Sequence, residues 1–312
     1  MTTAAYARAV CAAPVEEEAA LVPAAGLERD LEVRRLNTGE EPEVLNLLNR
    51  QPLRNVFMIG SIRDHGLESA RHRGIFYGCF RRNQLIGVAL IGHHVVLSDS
   101  DETITAFANA ARLCHEAELR VMLGDPGAVE KFCRILTQEP CHLAIHQTQS
   151  QTLFTLNKVK DHVKEVEGLR PAQVADLDEV VRSHAQFCLE QSGVDPLTQD
   201  SEGFRQRVLA RIERGRVWIA SDARGITFKA DVASETEEAV YLEGVWTRPD
   251  LRGAGLATSA MKDLSQRLLH RYQVVCLFAE TGHKRVQSFY QRLGFEPLAT
   301  YHMACFRSTD SC

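Results

Sequence analysis

The stretch VWTRPDLRGAGLATSAM, residues 245–261, joins an apolar segment to a run of helix-forming residues through a loop with two glycines. Gly253 and Gly255 can adopt positive φ angles and let a ligand approach the backbone closely. The helix predicted over residues 254–271 would offer unpaired N–H groups and the positive end of its dipole at this loop. The junction therefore predicts a strand–loop–helix unit with an anion-binding site at its turn. Apolar residues at helical spacing would pack the helix on a sheet: Ala257, Ala260, Met261, Leu264 and Leu268.

Several known phosphate loops can be compared with this segment. A Walker loop requires a lysine before a serine or threonine, and the segment has no lysine. A dinucleotide-binding loop requires a third small residue where Thr258 stands, and it would follow the first strand of its domain rather than the fourth. A tight turn with no ligand is the plain structural alternative. The pattern that remains is Arg-x-x-Gly-x-Ala, at Arg252, Gly255 and Ala257.

Two halves of the chain, residues 30–156 and 162–307, follow a similar order of predicted elements. The order in the second half is β-α-α-β-β-β-α-β-α-β, and the first half is a thinner version of it. This predicts an α/β or α+β fold, with a mixed central sheet flanked by helices in each half. Some stretches predict strands: 31–36, 74–80, 84–92, 119–123, 152–156, 162–173, 216–221, 225–234, 239–247, 274–280 and 298–306. Others predict helices: 41–51, 102–117, 126–136, 174–193, 202–215, 254–271 and 283–294, with residues 194–200 as a break.

Bulk composition narrows the class of protein. The chain has 312 residues, a net charge of −5 and no strongly basic patch, which predicts about two domains and no nucleic-acid partner. No window reaches the length of an apolar membrane span, and the first 28 residues carry an acidic run where a signal peptide needs an apolar core. We therefore expect a cytoplasmic protein with a flexible N-terminal extension over residues 1–28 and no membrane partner. The nine cysteines form no C-x-x-C pair, which is typical of free thiols in a reducing compartment.

Histidine pairs are the best candidates for metal ligands. They are His93 with His94, and His142 with His146. No cysteine or carboxylate completes a zinc set beside either pair. The sequence therefore predicts no metal site.

The loop and a second motif together resemble the GNAT superfamily of acyl-CoA N-acyltransferases, whose signature loop is Q/R-x-x-G-x-G/A. The segment HKRVQSFYQRLGFEPL is similar to the family's tail motif N-x-x-A-x-x-x-Y-x-x-x-G-F, with Tyr290, Gly294 and Phe295 in place. His283 and Val286 depart from the asparagine and alanine that are usual there. The resemblance covers residues 162–307, and it implies a catalytic GNAT domain over residues 158–312.

Residues 29–157 resemble the degenerate N-terminal domain of tandem GNAT proteins. Their own loop, residues 95–107, has no glycine and carries three acids between 99 and 102. Acids would repel a pyrophosphate, so we expect no coenzyme A there. The expected roles of this half are packing, dimerisation or shaping of the acceptor pocket.

The resemblance implies an acetyl-CoA-dependent N-acetyltransferase, an acyltransferase for groups other than aminoacyl, that uses no metal. The coenzyme A contacts that it implies lie in the fourth strand, the loop and the tail motif: Val245, Trp246, Thr247, Arg252, Gly253, Ala254, Gly255, Leu256, Ala257, Thr258 and His283. Trp246 is expected to contribute packing rather than chemistry. Tyr290 has the place of the family's general acid, with a packed core aromatic as its alternative.

Glu243 is the candidate general base, because an amine that is protonated at neutral pH must lose a proton before it attacks. On an alternating strand Glu243 would share a face with Val245. Its apolar and aromatic neighbours would raise its pKa towards a useful range. Glu280 and His283 are alternative bases, and a strand-edge salt bridge is the structural alternative for Glu243.

The acceptor is predicted to be a small-molecule or peptide amine. It would be contacted by the segment from Phe187 to Phe204 and by the region of Tyr301 and His302, with Asp195, Asp200 and Glu202 as possible partners of a cation. Homodimerisation stays open. So do a non-catalytic acyl-CoA sensor or assembly protein, and a transferase for a longer acyl or aminoacyl group. A sensor has no need of both Glu243 and Tyr290.

Overall fold

A computed structural model describes residues 30–98, 101–113, 119–138, 141–160 and 163–308. The predicted extension over residues 1–28 lies outside these residues. The described chain forms two compact units. Residues 152–299 make up the C-terminal unit, and the N-terminal unit combines the described residues up to Gln151 with those from Thr300 onward. The last strand of the chain therefore begins in one unit and ends in the other.

The N-terminal unit is built on a mixed sheet. Its elements in chain order are β1 (Leu31–Arg35), α1 (Glu41–Leu48), α2 (Val56–His65), β2 (Gly74–Arg81), β3 (Gln84–Gly92), β4 (His94–Leu97), α3 (Ile104–Leu113), β5 (Val121–Gly124), α4 (Pro126–Leu136) and the first part of β6 (Leu143–Leu156). Strands β1 to β4 pair antiparallel in sequence order, and β4 and β5 are parallel. The end of the last strand, β12 (Glu296–Ser308), pairs antiparallel with β5.

Apolar faces cover both sides of this sheet. Helix α3 packs on one side through alanines and Phe107, together with Phe132 from α4. Helices α1 and α2 pack on the other side against Phe76 and Leu90. Each helix thus buries one apolar stripe on the sheet, as the pattern of its residues requires.

The C-terminal unit follows the predicted order of elements. These are the end of β6, β7 (Arg170–Pro171), α5 (Leu177–Ser192), α6 (Pro196–Glu213), β8 (Val217–Asp222), β9 (Gly225–Glu235), β10 (Ala239–Thr247), α7 (Leu256–Leu269), β11 (Val274–Glu280), α8 (Lys284–Arg292) and the start of β12. The strands lie in the order β6-β11-β10-β9-β8-β7. Strands β10 and β11 pair parallel, while β7 to β10 pair antiparallel.

Two layers of helix cover this sheet. Met261 and Leu264 of α7 pack with Tyr290 of α8 against Val240 and Leu242 of β10. On the opposite face, Phe187 of α5 and Phe204 of α6 pack against Trp246. The predicted fold class, a mixed sheet flanked by helices in each half, is confirmed.

Some predicted elements are wrong in extent. Of the strand predicted over residues 162–173, residue 162 lies outside the described residues, and in 163–173 only Arg170–Pro171 is a strand. The backbone before it is held by side chains, since Val166 N–H donates to Asp263 (2.7 Å) and Arg267 donates to the carbonyl of Leu169 (3.0 Å).

The break predicted over residues 194–200 is shorter in the structure. Asp195 caps the start of α6, accepting from Leu197 N–H at 2.9 Å, and a kink at Asp200, whose backbone angles are not helical, separates this short first part from the part that continues to Glu213. Pro196 fits here because the first position of a helix needs no N–H partner. Helix α2 was not predicted, and α7 spans Leu256–Leu269 rather than residues 254–271.

Candidate active site

The parallel strands β10 and β11 separate before they end. Their ladder runs from the Ala239–Val274 pair to the Leu242–Leu277 pair and then stops, although both strands continue. The other edge of β10 stays paired with β9 as far as Thr247. Residues 243–247 therefore turn one edge of their backbone N–H and C=O groups towards a gap rather than a neighbouring strand. Such an edge can pair with an extended ligand.

A β-bulge lies at this gap. Glu243 is opposite Asp231 and Trp246 is opposite Lys229, so Gly244 and Val245 together face one residue of β9. Gly244 has a φ of +59°, which favours glycine. A Cβ atom on Gly244 would also lie 2.9 Å from Asp231 Oδ2. The bulge therefore requires glycine for its backbone angle and for the charged groups beside it.

The bulge changes which side chains share a face. Glu243 contacts Arg211 of α6 and Trp246 packs with the α5–α6 layer, whereas Val245 packs with the α7 layer. The prediction that Glu243 and Val245 share a face is wrong, because the extra residue of the bulge resets the alternation of the strand.

Glu243 is a buried carboxylate. Its side chain is 9% exposed, and Oε1 lies 2.9 Å from Arg211 Nη2. Burial raises the pKa of Glu243 above its usual range, and the positive charge of Arg211 opposes this rise. This is the direction that the sequence predicts. The structural alternative is also present, because Glu243 does make a salt bridge.

A buried group of charges surrounds Glu243. Asp231, opposite it on β9, lies 2.6 Å from Lys229 Nζ, 3.2 Å from His184 Nδ1 and 3.4 Å from Arg211 Nη1 through Oδ2. Burial opposes the ionisation of Asp231, but the positive charge of Lys229 and the contact with His184 hold its pKa below the usual range. Burial also lowers the pKa of His184 to about 4, so this imidazole is neutral at neutral pH.

Some polar atoms of this face have no hydrogen-bond partner among the described residues. They are Glu243 Oε2, Asp231 Oδ1 and Trp246 Nε1, all of them buried. Buried polar atoms in proteins are nearly always paired, with protein groups or with ordered water. Two acceptors and one donor on this face therefore have no protein partner among the described residues.

The glycine loop leads from β10 into α7. Gly253 and Gly255 have φ angles of +84° and +88°, and a Cβ on either would meet no atom within 4 Å. The first backbone hydrogen bond of the helix start runs from Ser259 N–H to Gly255 C=O, and no side chain caps this end. The N–H groups of Leu256, Ala257 and Thr258 thus lack helical acceptors, which is the arrangement that binds anions. Gly253, Ala254 and Gly255 are exposed.

The predicted loop arginine is engaged with protein groups. Arg252 donates from Nε to the carbonyl of Thr247 at 2.9 Å, and its Nη2 lies 2.7 Å from Glu190 at the end of α5. Arg252 thus braces the loop between β10 and α5. Any anion at the loop would meet the backbone N–H groups more directly than this guanidinium.

His283 and Tyr290 come from the tail motif. His283 is the N-cap of α8, accepting from Val286 N–H at 3.4 Å through Nδ1, which is work that an asparagine side chain could also do. Tyr290 is buried, with ring centroids 5.1 Å from Phe289 and 5.7 Å from Phe295. Burial raises the pKa of its phenol, so the hydroxyl keeps its proton at neutral pH. Tyr290 packs on the α7–α8 side of the sheet, opposite the face that carries Glu243.

The acids predicted to attract a cationic acceptor have protein partners. Asp195 caps α6, and Asp200 accepts from Gly203 N–H at 2.8 Å and from Arg207 at 3.0 Å. Glu202 accepts from Gln206 at 2.8 Å. Tyr301 and His302 belong to the N-terminal unit. The alternative base Glu280 binds Gln287 through its backbone carbonyl.

Sequence reasoning missed His184, Arg211, Lys229 and Asp231. One signal for the last two was present, since GITFKADVAS places two charged residues at alternate positions of an otherwise apolar strand. Arg211 is one of several arginines in its helix and carries no such signal. In the part of the chain that the structure describes, no group of three or more histidine, cysteine, aspartate or glutamate residues could hold a metal ion. No helix of the described residues is long and apolar enough to cross a membrane.

Residues 213–297 match the family model of the acetyltransferase (GNAT) domain. No curated protein matches the chain significantly. Among solved structures, a GCN5-related N-acetyltransferase from Sphaerobacter thermophilus is similar, with 15% identity, 91% of this chain and 97% of that chain covered, and a TM-score of 0.57.

Two further structures cover most of the chain. A tandem GNAT protein from the clavulanic acid biosynthesis pathway has 14% identity, a TM-score of 0.57 and coverage of 89% of this chain and 98% of that one. A GNAT-family acetyltransferase from Colwellia psychrerythraea has 11% identity, a TM-score of 0.51 and coverage of 88% and 100%. The domain match and the shared fold confirm the resemblance: residues 213–297 match the acetyltransferase (GNAT) domain, and the chain has the fold of these GNAT structures.

Proposed function

We propose that the protein is an acetyl-CoA-dependent N-acetyltransferase that acetylates a primary amine. The observation that carries this proposal is the gap between β10 and β11, which brings together an open backbone edge, a buried carboxylate and a free helix N-terminus.

The residues around the gap fit coenzyme A. The uncapped N–H groups of Leu256, Ala257 and Thr258 suit a pyrophosphate, and Gly253, Ala254 and Gly255 leave space beside them. The open edge at Val245, Trp246 and Thr247 suits the amides of the pantetheine arm. Arg252 and His283 contribute by bracing the loop and capping α8. Acetyl-CoA, when bound, supplies the acetyl thioester.

The proposed chemistry uses both faces of the sheet. On the α5–α6 face, Glu243 takes a proton from the acceptor ammonium, directly or through water, and the free amine forms the new C–N bond. The C–S bond breaks as the attacking nitrogen loses its second proton, and Tyr290, on the α7–α8 face, donates its hydroxyl proton or a hydrogen bond to the leaving thiolate. The second proton of the nitrogen passes through water and restores the Tyr290 hydroxyl or protonates the thiolate. Backbone N–H groups at the bulge can polarise the thioester carbonyl. The buried setting of Glu243 supports its role, because a raised pKa makes a carboxylate a better base.

A thermal-shift measurement with acetyl-CoA tests the first step. At 100 times the dissociation constant, binding should stabilise the protein by about 2.7 kcal/mol. Gly255→Glu should abolish this shift. Gly215→Glu is the matched control, because Gly215 also has positive φ (+67°) and open space around its Cβ but lies at the end of α6. The control should keep the shift.

Transfer is then assayed with a panel of primary amines: a lysine-containing peptide, a free peptide N-terminus, an aminosugar and a polyamine. Release of free thiol that depends on both acetyl-CoA and an amine supports the proposal. A thermal shift without thiol release across the panel would favour a coenzyme A sensor. A shift that is larger with a longer acyl-CoA would favour a different acyl group.

A further inference from the structure

Arg211 bridges the two buried carboxylates beside the gap. Its Nη2 lies 2.9 Å from Glu243 Oε1, and its Nη1 lies 3.4 Å from Asp231 Oδ2. The two carboxylates stand opposite each other on neighbouring strands. One planar guanidinium therefore reaches from α6 to both strands, which the single ammonium of a lysine could not do with the same geometry.

The other charges around the pair have separate contacts. Lys229, with no exposed side-chain surface, lies 2.6 Å from Asp231 and donates to the Gly244 carbonyl at 3.5 Å. His184 of α5 contacts Asp231 and, as a neutral imidazole, adds no charge at neutral pH. The group that contacts the Glu243 carboxylate directly is the Arg211 guanidinium.

The contact uses one oxygen of Glu243 and leaves the other available. Oε1 meets Arg211, whereas Oε2 is buried without a hydrogen-bond partner among the described residues. A carboxylate held through one oxygen has a fixed orientation and one oxygen left for a proton. This is the geometry that a general base needs.

We propose that Arg211 is the positioning residue of the base, holding Glu243 through Oε1 and keeping it ionised so that Oε2 can accept the proton of the amine. This inference rests on the proposed function. Arg211 supplies an opposing charge in a place where burial would otherwise favour the neutral acid. The same charge lies beside Asp231 and so limits the repulsion between the two carboxylates. Burial first, and Asp231 after it, raise the pKa of Glu243, and Arg211 and Lys229 lower it.

Infrared titration of the carboxyl group tests the proposal without an acceptor. The C=O stretching band of protonated Glu243 is isolated by subtracting the spectrum of Glu243→Gln at each pH. For Arg211→Met, the matching reference is the double variant Arg211→Met/Glu243→Gln. Removal of the guanidinium should move the midpoint of this band upward by roughly 1 to 3 pH units. Arg211→Lys should move it less, because the positive charge remains.

Arg205→Met is the control on the same helix, since Arg205 pairs with the exposed side chain of Asp178 and should leave the midpoint unchanged. Circular dichroism establishes that each variant is folded, and Arg211→Gln replaces Arg211→Met if the methionine variant does not fold. If the infrared midpoint of Glu243 in Arg211→Met or Arg211→Gln is the same as in wild type, the inference is overturned.

Kinetics separate this inference from the proposed function. If an amine substrate is found, the acid limb of kcat/KM should move with the infrared midpoint in Arg211→Met. If the infrared midpoint moves in a protein that binds acetyl-CoA but transfers no acetyl group, the proposed function is overturned and the positioning role of Arg211 is supported. Transfer with an acid limb that does not move would overturn the role of Arg211 and leave the proposed function standing.

Discussion

The two units repeat one arrangement around a pair of parallel strands. They differ at the junction, the place where the first strand of the pair ends and its loop leads into the connecting helix. In the N-terminal unit, β4 and β5 pair at His94–Val121 and Val95–Met122, and helix α3 connects them. In the C-terminal unit, β10 and β11 pair over four positions and are connected by α7. In both units the strands continue beyond their last parallel pair. The shared fold thus opens the end of a parallel strand pair twice.

The side chains at the two places are unlike. A pocket at the end of β4 and β5 is lined by polar residues that include Arg54, Asp101, Asp125 and Tyr301. The corresponding loop of the C-terminal unit has positive-φ glycines, and its one acid, Asp250, is paired with Arg248 at 2.8 Å and Arg224 at 3.0 Å. Among the described residues of β4 and its loop, no residue has positive φ. The comparison teaches that topology provides the gap, while loop chemistry decides whether it suits an anion.

The largest expected difference between the junctions is catalytic. Glu243→Gln removes the proposed base and should lower turnover by about 10²- to 10⁴-fold. The thermal shift with acetyl-CoA should persist, because the change leaves the loop intact. Steady-state kinetics of thiol release measure the effect. Asp101→Asn and Asp125→Asn, the matched acid-to-amide changes in the N-terminal pocket, should leave turnover near the wild-type value. Equal losses from both junctions would break the comparison.

The bulge is the next difference between the units. Gly244→Ala forces a side chain into a positive-φ position 2.9 Å from Asp231 Oδ2 and should lower the free energy of unfolding by about 2 to 3 kcal/mol. Gly215→Ala, with positive φ and open space, should cost about 1 kcal/mol. Urea denaturation measures both values. Similar losses of unfolding free energy at the two glycines would mean that Asp231 and Lys229 move aside to accommodate a Cβ atom at Gly244.

The buried base should also leave a pH signature in stability. Because the pKa of Glu243 is raised in the folded protein, folding favours its protonated form. This contribution is complete below the pKa of glutamate in the unfolded chain, about 4.3, and is lost as the pH rises through the higher folded value. The stability of Glu243→Gln relative to wild type should therefore increase with pH over that window. Urea midpoints at several pH values measure it, and a flat difference would contradict a buried, raised pKa.

The smallest expected effect is at the junction of the N-terminal unit, where acetyl-CoA should not change the rate of hydrogen exchange. Hydrogen exchange with and without acetyl-CoA should show protection in residues 245–258 and none in residues 95–107. The physical reason is that the junction of the C-terminal unit has glycines and uncapped helix N–H groups, whereas acids are among the residues that line the junction of the N-terminal unit. Protection in both segments would remove the distinction between the units.

The strongest local signals predicted their elements well. The strands over residues 239–247 and 274–280 have the predicted bounds, because long apolar runs ended by turn-forming residues leave few alternatives. The glycine loop and the start of the helix behind it follow from local backbone preferences. The two motifs were enough to indicate the GNAT superfamily, since the residues that define it are close together in sequence.

The rest depended on contacts between residues distant in sequence. The bulge that turns Glu243 away from Val245 depends on Lys229 and Asp231 of the neighbouring strand, which no periodicity within β10 reveals. The choice of Arg211 among the arginines of α6 depends on where that helix crosses the sheet. Residues from Thr300 onward join the N-terminal unit through pairing with β5. The sequence alone determined which elements form, because propensity and apolar spacing act over a few residues. Tertiary structure decided which charges meet, because strand register and helix packing act across the whole chain.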